Sequence, residues 1–335
     1  MPKLDWIGPT ERWLAIVILL ISIILSLATD TFLSLVNLFD LLNYSAVNII
    51  FAAGLLVVLI AGGIDISFAV GASVVQYLTV TTLMKMGGGN WTIGLFLACF
   101  YGLCLGALNA ALIFHFKITS IVVTIATFNL FFGVLMYLTG GVSIYDLPDW
   151  LSTRVIVFER ETANGFAEIT LPVVAMVVVV ALTWLLLRRL SVGRQLFAMG
   201  DNIEGARRLG INIGAMHYLA FGWLGVCAGI AGLMQAHYAQ EVVPNALYGR
   251  ELEVLAAVVL GGARLGGGRG TLLGAILGLA LVSITQNGLN LLGISPYAFR
   301  MIIGAVILVA ISFSGGTAGI VSRRLIRPKA AGAAP

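Results

Sequence analysis

The sequence predicts an all-α polytopic membrane protein of about ten transmembrane helices. Three observations carry that expectation. Of the 335 residues, 60% are apolar and only 10% are charged, and the mean hydropathy is +1.04, far outside the range of soluble domains. Apolar runs lie at 13–28, 42–61, 68–84, 91–114, 119–138, 171–187, 216–235, 252–262, 271–292 and 297–313, and all but the eighth approach or exceed the ~20 residues that a spanning helix needs. The Lys and Arg residues fall in alternate connections, as the positive-inside rule requires.

Taken in order, the N-terminal segment with Lys3 and Arg12 is placed in the cytoplasm. The run 13–28 is read as an uncleaved first span, since Ser26 and Ala28 offer only a weak signal-cleavage site. The run 42–61 ends at Gly62 and Gly63, and Asp65 or Ser67 is placed to cap the helix that starts at Phe68. Capping is weighed above a proton relay, the other role open to an acid near the bilayer. Runs 91–114 and 119–138 flank Lys117, which the crossing count puts inside. Segment 140–169 then falls outside, where Asp146, Asp149, Glu159, Glu161 and Glu168 outnumber Arg154 and Arg160.

Run 171–187 leads into a polar island, 188–215, with Arg188, Arg189, Arg194, Arg207 and Arg208 set against Asp201 and Glu204. It is placed in the cytoplasm. Asp201 and Glu204 have capping-box spacing, Asn202 is a second possible cap, and Gly210 can close a short helix in a left-handed turn. Ile203, Ala206 and Leu209 would share one face of that helix. An exposed apolar face beside arginines suits a groove on a soluble partner; the alternative is a merely solvated basic loop.

After run 216–235, the short eighth run is counted as a crossing, broken or tilted, because omitting it would export the tail 316–335 with Arg323, Arg324, Arg327 and Lys329. Glu251 and Glu253 are placed at its outer end, solvated or paired with Arg250. Gly261, Gly262, Gly267 and Gly268 follow it. With Gly62 and Gly63 they make two joints where backbone is interrupted at membrane depth, which is tolerated only where protein or water satisfies it. Gly274, Ala275 and Gly278 in run 271–292 fit close helix packing. The chain, 1–335, reads as a single transmembrane domain.

The missing motifs narrow the function. None of Lys3, Lys85, Lys117 and Lys329 follows a glycine, so no phosphate-cradling loop exists; ATP and Mg would be bound by another subunit. His115, His217 and His237 are scattered, and neither HExxH nor GxSxG is present. A membrane-embedded enzyme is not expected. Cys99, Cys104 and Cys227 fall inside spans, without disulfide or zinc spacing. The net charge of +4 is explained by loop basicity and anionic lipid, and calls for no nucleic-acid partner.

Four motifs in order, Gly62-Gly-Ile-Asp-Ile-Ser67, the loop from Gly200 to Ile211, Glu251 to Gly262 with Gly267-Gly-Arg-Gly270, and Asn287-Gly-Leu-Asn290, resemble the permease subunits of ribose-type ABC importers. The resemblance spans nearly the whole chain from the second helix on. It implies a type II-like importer permease fold, a second permease copy in a homodimer or heterodimer, a periplasmic substrate-binding protein and a cytoplasmic ABC ATPase, all at a bacterial inner membrane. Gly200, Asn202, Ile203, Ala206, Arg207, Leu209 and Gly210 would form the coupling element that enters the ATPase. Ala69 stands where that family usually has glycine, Gly205 where it has alanine, and Arg208 where it has an apolar residue.

For a sugar pathway, amides inside the spans are the candidates, because each can donate and accept: Asn48, Gln76, Asn129, Gln286, Asn287 and Asn290. The competing role for each is an interhelical hydrogen bond. Phe128, Phe131 and Phe132 could face a sugar ring or lipid. The expected function is ATP-driven import of a monosaccharide or similar small polyol by alternating access. Its rivals are an ion-coupled carrier and a permease of the same superfamily for a nucleoside, an autoinducer or a branched-chain amino acid.

Overall fold

A computed structural model describes residues 8–162 and 165–295 with the isolated positions 298, 301, 304 and 305. Lys3, most of the tenth run and the tail 316–335 lie outside the described residues. Twelve helices and one strand pair are described: α1 (Pro9–Ala28), α2 (Leu35–Ile60), α3 (Phe68–Lys85), α4 (Trp91–Phe116), α5 (Ser120–Thr139), α6 (Asp149–Ser152), β1 (Ile156–Thr162), β2 (Gly165–Thr170), α7 (Leu171–Arg188), α8 (Ser191–Asp201), α9 (Ile203–Arg208), α10 (Ile213–Ala239), α11 (Arg250–Leu260) and α12 (Leu272–Leu291). Seven of these, α1, α2, α4, α5, α7, α10 and α12, are long and apolar enough to cross a membrane. The chain is a multi-pass membrane protein. α3 has the length, but Ser73, Gln76, Thr79, Thr81 and Thr82 lower its apolarity.

α2 is the axis of the molecule. It is apolar on every side, from Ala46 to Ile60 almost without interruption, and is buried along that whole stretch, the signature of a helix enclosed by others. α7, α10, α11 and α12 pack around it, and Phe51 meets Phe68 at the start of α3, with 5.1 Å between ring centroids. α4 crosses α10 so closely that a Cβ on Gly102 or Gly106 would overlap the α10 backbone at Gly225 or Phe221; small residues admit this approach, as they do between membrane helices generally. α1 lies outside the bundle against α12, with Leu14 buried beside Leu281. Its Glu11 accepts a hydrogen bond from Thr271 Oγ1 at 2.6 Å. In α12, Gly274 and Gly278 lie against Gly261 and Ala257, the close packing their spacing indicated.

Two expectations are corrected. The protein is not all-α, because segment 140–169 contains an antiparallel hairpin that pairs Phe158 with Ile169 and Thr162 with Gly165. Its strands are rich in β-branched and aromatic residues, which favour strand. The island also holds more structure than one short helix. α8 precedes α9 and buries Gly193, Leu196 and Met199, a helical stripe, against the bundle.

The eighth run forms one short helix, α11, preceded by a non-helical stretch. Gln76 Nε2, midway along α3, donates to Val243 O at 3.2 Å, and Arg250 Nη1 reaches Asn48 Oδ1, midway along α2, at 3.4 Å. The chain therefore descends from the end of α10 without helical structure and becomes helical only halfway down. α11, at 11 residues, rises about 17 Å, roughly half a bilayer core. Glu251 and Glu253 lie in the first turn of α11, the end the sequence gives them, but they are bonded and not simply solvated: Glu251 is buried and accepts from Gly249 N at 3.0 Å, and Glu253 Oε1 accepts from Gln286 Nε2 at 2.7 Å.

Candidate functional site: the glycine joint and the polar island

The first joint is built by the end of α2. Gly62 takes φ +88°, and Gly63 N reaches back to Val58 O at 3.0 Å, closing the helix in the left-handed turn that glycine allows. Asp65 then starts α3. Its Oδ1 accepts from Ser67 N and Ser67 Oγ, both at 2.7 Å, and its Oδ2 accepts from Asn109 Nδ2 at 3.3 Å. The Phe68 amide also donates to it. Four donors and a helix N-terminus account for this carboxylate as a cap. Ser67 instead supplies its hydroxyl to the network, accepting from Asn109 Nδ2 at 2.8 Å. The joint is pinned to α5 as well, through Ile64 N to Ser120 Oγ at 2.9 Å and Thr124 Oγ1 to Ile64 O at 3.2 Å.

The second joint follows α11. Gly262, Gly267 and Gly268 have φ of +93°, +85° and +72°, and Gly268 N donates to Ile60 O at 2.9 Å. The two joints are therefore bonded to each other, although 200 residues of sequence separate them. The island meets them at the same point. A Cβ on Gly200 would overlap Ile60 O and stand 2.5 Å from Gly268 N, and one on Gly267 would stand 2.6 Å from Gly200 O and 2.7 Å from Gly62 Cα. Backbone touches backbone among three segments. Gly261 belongs to the α11–α12 contact instead.

Beyond Gly200, Asn202 and not Asp201 caps α9: its Oδ1 accepts from Gly205 N at 2.9 Å, while Asp201 ends α8. Gly210, at φ +79°, closes α9, with Ile211 N donating to Ala206 O at 3.1 Å. Arg207 pairs with Glu204 at 2.9 Å. The expected apolar face needs correction. Ala206 is only 2% exposed and packs into the protein's own core, whereas Ile203 is 44% and Leu209 79% exposed. Ala206 seats the helix; Ile203 and Leu209 face outward. A cavity of about 370 Å³ separates Ile203 and Arg207 from Gly62, Lys117 and Ser120, so α9 stands partly free of the bundle.

The amides do not form one site. Asn48 and Gln76 hold the eighth segment, as described. Asn129 lies on the exposed side of α5 and donates to its own helix at Ile125 O, 2.8 Å away. Asn287 exchanges two hydrogen bonds with Asn37 of α2, at 2.8 and 3.1 Å, which the sequence could not reveal because Asn37 precedes the apolar run. Gln286, Asn287 and Asn290 share a cavity with Asp40, Tyr44 and Tyr238. Phe131 is buried beside Asp65 and Asn109, while Phe128 and Phe132 meet Tyr248 at 5.4 and 4.7 Å between ring centroids.

A protein family described as "Branched-chain amino acid transport system / permease component" matches residues 37–311. The chain belongs to this permease family. Among its relatives, the permease is 31% identical to the ribose import permease protein RbsC of Bacillus subtilis (strain 168) over 289 residues, covering 86% of this chain and 88% of the relative. It is 32% identical to the autoinducer 2 import system permease protein LsrC of Photorhabdus luminescens, covering 87% and 86%. The galactose/methyl galactoside import permease protein MglC of Escherichia coli (strain K12) is 27% identical, covering 90% and 93%. No solved structure matches the permease.

Proposed function

We propose that the permease is the membrane subunit of an ATP-binding cassette importer in a bacterial inner membrane, and that it moves a monosaccharide or similar small polyol. The relatives' names supply the substrate class, and the meeting of Gly62, Gly200 and Gly267 carries the mechanism. A cytoplasmic ATPase holding ATP and Mg would grip α9 through Ile203 and Leu209. Because α8 and α9 continue into one another at Asn202, a push on α9 reaches Gly200 and, through it, the ends of α2 and the α11–α12 joint together. Those joints would be the hinges of alternating access. A periplasmic binding protein delivers substrate at the hairpin end, and a second permease copy completes the pathway. The full set is ten helices of type II-like fold, with the island and both termini in the cytoplasm.

The test compares Leu209→Glu with Ala206→Glu. A charge at Leu209 would be desolvated only at the ATPase contact, costing ~2 kcal/mol or more of association, so that protein should insert normally yet lose ATPase and uptake. A charge at Ala206 should lower the yield of folded permease itself. Full ATPase recovery with Leu209→Glu would refute the coupling role. Uptake in vesicles should need the ATPase and should not be restored by an imposed proton or sodium gradient.

A further inference from the structure

At the hairpin end, α2 and α12 leave a cavity of about 370 Å³ beside their Asn37–Asn287 contact, with Tyr238 from the end of α10 on its wall. That volume falls in the range of about 300–1,000 Å³ found for small-molecule sites. Each long wall presents an i, i+1, i+4 set: Asp40, Leu41 and Tyr44 on α2, and Gln286, Asn287 and Asn290 on α12. Asp40, Tyr44 and Asn290 are exposed. Carboxylate, amide and phenol groups on helices that cross a membrane are costly against lipid, so this face meets water.

The chemistry of the wall is selective. Gln286 Nε2 donates to Glu253, which fixes the amide's orientation and leaves Oε1 buried, without a partner, as an acceptor. Asn287 is occupied by Asn37. Asp40 supplies a carboxylate able to accept two hydroxyl donors, and Asn290 an amide that donates and accepts. Tyr44 and Tyr238 supply aromatic surface, and the Arg154 guanidinium lies 5.6 Å from the Tyr238 ring centroid. Arg154 itself faces Glu168 at 3.9 Å. A free amino acid would need a cation for its carboxylate, and no cationic side chain lines this cavity among the described residues. Uncharged hydroxyl groups match every polar atom present.

We propose that this cavity is a monosaccharide site at the outer mouth of the permease, where Asp40, Gln286 and Asn290 bind hydroxyls and Tyr44 and Tyr238 pack against the sugar ring. It rests on the sugar-importer reading and receives substrate before the joints move. The test uses the permease–ATPase complex in nanodiscs without its binding protein. Saturation-transfer NMR is recorded with D-ribose, D-galactose and, for comparison, L-leucine, and ATP-driven uptake is measured in the complete system. One of the two sugars should give signal at millimolar concentration and leucine none. Asp40→Asn and Asn290→Ala should each cut that signal and the uptake rate at least fivefold, while ATPase recovery and folded yield stay unchanged. Signal and uptake that survive both substitutions, or preferential binding of leucine, would overturn the assignment. Absence of ATP-driven sugar uptake by the unsubstituted complex would instead bring down the importer reading, and this proposal with it.

Discussion

Gly200 occupies a position that no other residue can fill without moving backbone. A Cβ there meets Ile60 O and Gly268 N, both main-chain atoms, and main chain cannot rotate aside as a side chain can. Gly200→Ala should therefore lower the melting temperature of the purified permease and abolish uptake, whereas Gly133→Ala, with nothing within 4 Å, should leave both intact. Asp65 makes a second residue-level case. Removing it orphans the Ser67 and Phe68 amides, so Asp65→Ala should cost about 2 kcal/mol, the upper end for a lost cap. A thermal-shift assay would show it as a drop that Asp65→Asn reduces only in part. Both glycine joints and the Asp65 cap were legible in the sequence, because paired glycines and a capping acid are local signals. Their meeting with Gly200 was not, since nothing local encodes which distant loops share a point.

At the scale of elements, the same division holds between local pattern and tertiary contact. Asn202, the second of the two caps the sequence offers, and Gly210 mark the ends of α9 by chemistry that acts within four residues. The direction of Ala206 depends instead on which side of α9 meets the bundle, and a six-residue helix has too few turns to show an apolar stripe. α8 carried a readable signal, Gly193, Leu196 and Met199 at helical spacing, hidden by the arginines around it. The hairpin carries Ile156, Val157 and Phe158 in one strand and Phe166, Ile169 and Thr170 in the other, residue types that favour strand, but the acids between them break the alternation that would mark it. Pairing of α2 with α12 through Asn37 and Asn287 gives an energetic prediction. A double-mutant cycle with alanine at both positions should return a coupling of about 0.6 kcal/mol and no more than about 1.7, the range for polar pairs between membrane helices. Asn37→Ala alone should account for nearly the whole loss.

At the scale of the molecule, the island and the hairpin lie at opposite ends of the bundle, and this polarity can be read directly. In a background lacking Cys99, Cys104 and Cys227, a cysteine at Leu209 should resist an impermeant maleimide added to intact cells and react in inverted vesicles. A cysteine at Glu159 should show the reverse. Reaction of both from one side would contradict the proposed orientation. The span count is where sequence and structure part most instructively. Hydropathy finds α2, α4 and α10 without difficulty, since each exceeds the length of a bilayer core. It undervalues α11, whose Arg250 reaches Asn48 of α2 and whose Glu253 accepts from Gln286 of α12, so its place follows from partners that a sliding window cannot see.

The eighth segment has a consequence for how the protein is made. A stretch with Arg250, Glu251 and Glu253, level with the middle of α2, would cost up to ~8–10 kcal/mol to partition alone, at about 2.5–3.5 kcal/mol per charge on the insertion scale. It cannot leave the translocon for lipid as an independent helix. Asn48 and Gln76 are synthesised first and can receive Arg250 and Val243, but Gln286, the partner of Glu253, emerges later. The nascent chain must therefore hold this segment in the translocon, or against the half-built bundle, until α12 has been made, and its seating is a late, concerted step of biogenesis.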